Sequence, residues 1–438
     1  MDPGSVPSPV PTRARYGVVL FAVALAVVQY IDRICISKTG PTIQKDLHLD
    51  DVEMGYVFGA FTLAYALFEI PTGWLGDRFG PRKILVRVCL WWSFFTAATG
   101  WAWNYGSMVV IRFLFGIGEA GCFPNITKAF STWLRPEEKV RAQSILWLCA
   151  RWGGAITPLL VVAVLKLDFM TWRRAFMFFG TLGILWAIFF YRWFRDDPRD
   201  HPSVNEAERD LLASNRALGS THEAVPWKGF ASSKTAWLLW AQYFCLSYSW
   251  YFYITWLPKY MKEVRDLDLT KGALLAGLPL FCGGFGSLLA GFAVTPLARW
   301  TGSMIRARRL LARTGFYAAA ALLIASYHIE HPVLAMVTMG LAGFFNDMVM
   351  PGAWGACMDV GGKFAGTFSG SMNMMGNLGG ALGPVAVGYI LKETYKCWGV
   401  TFYLSAAIYL LGGLCWLYLD PVTPLTQDEK QPAAAPAS

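Results

Sequence analysis

Apolar runs of about 20 residues, enough to cross a bilayer as a helix, recur along the whole 438-residue chain. They lie near 17–36, 54–76, 84–104, 107–131, 142–165 and 173–194, and again near 236–258, 271–298, 309–328, 332–358, 365–391 and 398–419. A polar stretch over 195–235 separates the two groups of six. The pattern predicts an all-α membrane protein with 12 transmembrane helices in two six-helix bundles, 17–194 and 236–419, joined by a central loop. The flanks, 1–16 and 420–438, are rich in Pro, Ser and Ala and are expected to be disordered tails. The first apolar run is long enough to span, so it is expected to serve as an uncleaved anchor.

The loops between these runs set an expected orientation. Arg13 and Arg15 precede the first span, Arg78, Arg82, Lys83 and Arg87 follow the second, and Arg135, Lys139 and Arg141 follow the fourth. The central loop carries Arg195, Arg199, Arg209, Arg216, Lys228 and Lys234, and Arg299, Arg306, Arg308, Arg309 and Arg313 follow the eighth span. Opposite loops are short or mixed in sign. Retention of Lys and Arg on the cytoplasmic side then places both termini and the central loop in the cytoplasm. Composition agrees, with 55% hydrophobic and 15% charged residues, whereas soluble domains run nearer a quarter charged. The net charge of +9 is spread over these short loops, which argues against nucleic acid as a partner. The nine cysteines sit singly with no C-x-x-C and no His at ligand spacing, so neither a metal site nor a disulfide framework is expected.

Charges inside the spans carry the candidate chemistry. Each costs ~2.5–3.5 kcal/mol at the centre of a membrane helix, so such charges face a cavity or a partner. Arg112 and Glu119 stand two turns apart on one face of the fourth span, about 10 Å along the axis, among Gly116, Gly118, Ala120 and Gly121. A structural Arg–Glu pair that only locks helices stands beside any functional reading of them. Asp32 and Arg33 fall in the outer half of the first span, level with Arg112 and above Glu119, and Arg151 falls near mid-depth in the fifth. Three guanidiniums against two acids leave positive charge in a low-dielectric cavity. Such a cavity suits an organic anion, above all a carboxylate that fits the guanidinium fork. Asn373 and Asn377, at i,i+4, offer amides to sugar hydroxyls or act as polar glue between helices. Asn346, Asp347 and Tyr251 are second-tier candidates, and Lys38 near the mouth reads as a steering charge or a snorkelling lysine.

After the second span, Gly73-Trp-Leu-Gly-Asp77-Arg78-Phe-Gly80-Pro-Arg82-Lys83 packs glycines, an acid and bases into one tight turn. It resembles the loop 2–3 gating motif of the major facilitator superfamily, with a weaker echo over 291–309 as expected of diverged repeats. A finer resemblance covers most of the chain. Asp32-Arg33 with Ser37 and Pro41, and Arg112, Gly116, Glu119, Ala120, Phe123 and Pro124, are similar to the anion:cation symporter branch. So are Asp197-Pro198-x-x-His201-Pro202, Val225-Pro226-Trp227, Trp256-Leu257-Pro258-x-Tyr260 and the run from Pro351 to Gly380. That branch holds galactonate, hexuronate and glucarate transporters and the sialin relatives.

The resemblance implies the major facilitator fold and, with no cofactor beyond the coupling ion, proton-coupled symport of a small organic anion such as a sugar acid. It implies that Asp32 and Glu119 are the proton-coupling carboxylates and that Arg33 and Arg112 bind the anion. Tyr65 matches a cavity tyrosine of the branch. Glu69, one turn on, stands where many members carry Gln, which adds an acid to coupling or to the inner gate; a helix-packing Tyr65 and a lipid-interface Glu69 are the plain alternatives. The expected setting is the bacterial inner membrane, with the chain working as a monomer. Three other readings have less support in the sequence. A drug/proton antiporter lacks support in Gly153-Gly154-Ala155-Ile156-Thr157-Pro158-Leu159, where its fifth-span motif would stand. A membrane enzyme lacks a nucleophile–base pair, and a transport-inactive sensor does not need both carboxylates.

Overall fold

The computed structural model describes residues 10–213, 221–265, 275, 277–395 and 397–425. The first half comprises α1 (Arg15–Leu47), α2 (Asp51–Phe79), α3 (Pro81–Thr99), α4 (Tyr105–Glu119), α5 (Cys122–Trp133), α6 (Pro136–Leu165) and α7 (Trp172–Trp193). The linker holds α8 (Glu206–Leu211) and α9 (Trp227–Ser232). The second half comprises α10 (Lys234–Thr255), α11 (Leu257–Glu263), α12 (Leu278–Thr301), α13 (Met304–His328), α14 (Pro332–Gly361), α15 (Ala365–Glu393) and α16 (Trp398–Tyr418). Among the described residues there is no strand. Nine stretches of the described residues are long and apolar enough to cross a membrane, and one of them, Pro332–Glu393, contains both α14 and α15. α3, with Arg82, Lys83 and Arg87 in its first two turns, and α10, rich in tyrosine and serine, complete the crossings.

Two of the expected spans depart furthest from their predicted bounds. α1 runs on to Leu47, 11 residues past the expected end at 36, with Pro41 inside it. Ile43 and Leu49 bury their side chains in the cluster that also holds Ile31 and Met54, so the extension keeps an apolar face. His48, at φ 54°, closes it with a left-handed cap. The fourth span is broken in two after Glu119. Pro124 has no N–H to return to the carbonyl of Ala120, and its ring crowds that carbonyl. Gly121 bridges the gap with a 3.4 Å bond from its N–H to the Gly118 carbonyl.

The halves meet along two crossings. On one, α2 lies against α15, and a Cβ at Gly73 would strike the Gly366 carbonyl, while one at Gly370 would come within 2.5 Å of the Glu69 carbonyl oxygen. On the other, α6 lies against α12, where Gly284 admits Leu148 and Trp152, and Trp152 stacks on Phe281 at 5.5 Å. Small residues are what let backbones come this close in a membrane bundle. Between the crossings, Phe123 stacks on Trp147 at 4.8 Å and both rings adjoin Trp354 of the other half.

The first and last described residues and the described part of the linker gather at one end of the bundles. Arg15 binds Glu138 at 3.1 Å and Glu208 of α8 at 2.8 Å, and Arg308 donates to the Pro421 carbonyl at 2.6 Å. This end also holds the Gly73–Lys83 turn, so it is called the Asp77 end below. α15 is buried without a gap from Ala365 to Asn373. Toward the far end Leu382, Val385 and Tyr389 on α15 and Tyr56 and Phe58 on α2 are exposed, and Gly55 and Gly59 have open space around them.

Candidate functional site

The charged residues of the spans gather where α1, α2 and α4 approach α6, α14 and α15. Arg33 Nε donates to both carboxylate oxygens of Glu119, at 3.2 and 3.3 Å. The guanidinium lies 4.7 Å from the ring centre of Tyr65, 5.2 Å from Phe61 and 5.7 Å from Tyr30, an aromatic cradle that holds its plane. Its side chain is 26% exposed, whereas Glu119 is wholly buried. Arg112 is buried against the rings of Phe115 at 4.2 Å and Phe61 at 5.2 Å, and its Nε and Nη1 have no hydrogen-bond partner among the described residues. Asp32 is likewise buried, with neither carboxylate oxygen hydrogen-bonded among the described residues. Sequence position put Asp32 level with Arg112; the ion pair that forms in this group is Arg33–Glu119 instead.

Glu69 sits fully buried where the halves meet. It accepts from the side-chain amides of Asn373 and of Asn377, the latter at 3.1 Å. The three residues thus form one bridge from α2 to α15. The i,i+4 spacing of the two asparagines is what lets both reach one carboxylate.

Arg151 crosses to the second half as well. Its Nε donates to Asp347 Oδ2 at 2.7 Å and its Nη2 to Oδ1 at 3.1 Å, a bidentate pair that is buried on both sides. The guanidinium stacks 3.8 Å from the ring centre of Trp250. Asn346 donates to Asp347 Oδ1 at 2.8 Å and accepts from the Tyr409 hydroxyl at 2.8 Å, so the acid is fixed from its own half. Tyr251 lies within reach of the charges of both Arg33 and Arg151. With Glu69 and Asp347 added, the assembled group holds three guanidiniums (Arg33, Arg112, Arg151) and four acids (Asp32, Glu69, Glu119, Asp347). The net positive cavity expected from the first half alone therefore requires protons on the acids.

The Gly73–Lys83 motif forms a separate site at the Asp77 end. Asp77 accepts from Gly366 N at 2.9 Å and from Thr367 N and Oγ1 at 2.6 Å each. α15 has no side-chain cap of its own, so Asp77 caps it from the opposite half. Lys128, buried on α5, lies 3.5 Å from Asp77 Oδ1 and donates to the Lys363 carbonyl at 2.6 Å. Gly80, at φ 82°, turns the chain, and Arg82 N donates to Asp196 Oδ1 at 2.8 Å while its guanidinium stacks 4.4 Å from Tyr191. Arg78 lies over Trp74 at 5.3 Å. A second tie runs from Lys139 to Asp359 at 3.0 Å and on to Arg308 at 2.7 Å. Sequence reasoning passed over Lys128, although a lysine inside an apolar span was itself a signal.

Comparison with known proteins agrees with this architecture. Residues 22–384 match the sequence pattern of the Major Facilitator Superfamily. The chain is 33% identical over 406 residues to the "probable sulfoacetate transporter" of Cupriavidus necator, covering 92% of this chain and 93% of that one. It is 29% identical over 439 residues to the "probable galactarate/D-glucarate transporter" of Escherichia coli (94% and 96% covered), and 27% over 406 residues to the "hexuronate transporter" of Bacillus subtilis (92% and 92%). Among solved structures, the proton:xylose symporter bound to 6-bromo-6-deoxy-D-glucose superposes with a TM-score of 0.73 at 11% identity, covering 93% of this chain and 97% of that one. The Escherichia coli fucose:proton symporter gives 0.72 at 13% identity, covering 93% and 99%. The protein is a multi-pass membrane transporter, not an enzyme. It belongs to the Major Facilitator Superfamily, and its relatives match the anion:cation symporter branch expected from the motifs, with the bacterial inner membrane as its setting.

Proposed function

We propose that the chain imports a small organic anion together with protons by alternating access. The observation that carries the reading is the Arg33–Glu119 ion pair, beside the buried Arg112 and Asp32. While Glu119 is ionised it occupies Arg33, and a substrate carboxylate must compete with it. A proton on Glu119 weakens that pair and frees the guanidinium fork, so proton and anion bind together. The count of four acids against three guanidiniums supports the same linkage, because the cavity attracts an anion only once protons are loaded.

Sugar acids such as galactonate, glucarate or a hexuronate fit this reading, and the similarity to a probable sulfoacetate transporter extends the range to a short sulfonated acid. The Asp77 end is read as cytoplasmic. Asp77, Lys128, Lys139 and Asp359 hold the halves together there, and the exposed outer parts of α2 and α15 fit a cavity open to the far side. The proton serves as coupling ion, with no other cofactor and with the monomer as working unit. The reading is tested by measuring uptake of labelled glucarate, galactonate and sulfoacetate into proteoliposomes. Accumulation of at least one of them, driven by an inward proton gradient and abolished by a protonophore, is expected.

A further inference from the structure

The pair Arg151–Asp347 is a bidentate ion pair buried on both sides. A buried ion pair adds little to stability over well-fitted apolar side chains of the same volume, since desolvation offsets most of the attraction. Here it also crosses the interface that transport must rearrange. Arg151 belongs to the first half and Asp347, held by Asn346 and Tyr409, to the second. Its guanidinium keeps its orientation from Trp250 at 3.8 Å and Trp147 at 5.7 Å, so its plane does not depend on the acid.

Arg151 also shares a wall with Arg33. Tyr30 lies 5.7 Å from the Arg33 guanidinium, and its ring would lie 3.0 Å from a Cβ on Gly154, less than one turn from Arg151. Two oriented guanidiniums thus flank one tyrosine, and each is occupied by a carboxylate of the protein, Glu119 at one and Asp347 at the other.

We infer that the transported anion carries two acid groups, the first engaging Arg33 and the second replacing Asp347 on Arg151. Asp347 is the protein's own stand-in for the second acid group. Exchange at Arg151 releases a mid-depth tie between the halves, so a diacid loosens the interface in a way that a monoacid does not. The inference rests on the organic-anion reading above and narrows it to dianions.

The test is a thermal-shift titration of the purified full chain in detergent with two matched ligand pairs, D-gluconate against D-glucarate and acetate against sulfoacetate. The parent protein is expected to bind the diacid of at least one pair about tenfold or more tighter than its monoacid, the worth of one charge-assisted hydrogen-bonded contact. Arg151→Gln is expected to bring the diacid-to-monoacid affinity ratio close to one, so the variant is read through that ratio and not through either affinity alone. Asp347→Asn is expected to act in the opposite direction, raising diacid affinity because the competing carboxylate is gone. A purely structural pair predicts that both variants weaken all ligands alike. If Arg151→Gln does not fold, Asp347→Asn decides alone: tighter diacid binding supports the inference, and unchanged or weaker binding overturns it. Equal binding of mono- and diacids overturns it while the organic-anion reading stands. No binding of any of the four acids overturns both.

Discussion

Asp77 and Thr367 stand 290 positions apart in the chain, yet one carboxylate oxygen of Asp77 accepts from both the backbone N–H and the hydroxyl of Thr367 at 2.6 Å. A loop acid of one half therefore serves as the helix cap of the other. Each of these bonds exists only while the halves are together at this end.

Asp77→Asn keeps the size of the side chain but removes the charge that the first turn of α15 and Lys128 engage. Charge-assisted bonds of this kind are worth about 1.5–3 kcal/mol each, so the closed end should open more often. Maleimide labelling of Ser369→Cys, buried on α15 next to Gly370, in a cysteine-free background reports it. At least a tenfold faster labelling in the Asp77→Asn protein is expected, and an unchanged rate would deny the tie its role.

Gly370→Leu tests the α2–α15 crossing. Its added atoms run into the Glu69 backbone, and overpacking of a close interface costs typically 1–3 kcal/mol. The expected result is loss of transport with normal membrane insertion. Full transport by this variant would show that the halves need not approach as closely as they do here.

Orientation follows from where the basic residues lie. Arg199 sits in the linker at the Asp77 end, its side chain paired with Asp197. A cysteine at position 199 should resist an impermeant reagent in intact cells and react after the membrane is broken. Labelling from outside would invert the assignment of sides.

Arg33→Lys and Arg112→Lys keep the charge and lose the planar fork. Both are expected to abolish uptake of a carboxylate substrate while inserting correctly. Near-normal affinity in both would make these arginines structural and move the binding site elsewhere.

How far the chain could be read beforehand differs between its parts. The spans were legible because a bilayer demands about 20 apolar residues in a row, whatever the neighbours. The break after Glu119 was equally present in the sequence, since Pro124 cannot supply the bond to Ala120, but an apolar run conceals it from a count of hydrophobic residues. Charges inside spans marked Asp32, Arg33, Arg112, Glu119 and Arg151 as candidates. Their partners were not legible. Arg151 meets Asp347 across 196 residues and Glu69 meets Asn373 across 304, and nothing local encodes which helix of one half faces which of the other. The charge balance changed for that reason, because the acids of α2 and α14 join the site only through tertiary packing. Lys38 keeps both of its readings, as its side chain lies outside the described residues.

The central claim is that Glu119 couples the proton to the anion through Arg33. Proteoliposomes holding the parent protein or Glu119→Gln test it most directly, through labelled-substrate uptake with and without an inward proton gradient, beside exchange of labelled for unlabelled substrate at equal pH. Gln keeps the shape but carries no titrating proton, so it stands in for the permanently loaded carrier. The account predicts that Glu119→Gln still exchanges substrate and fails to accumulate it, while the parent does both. Gradient-driven accumulation by Glu119→Gln equal to that of the parent would contradict it and leave the Arg33–Glu119 pair as a structural lock.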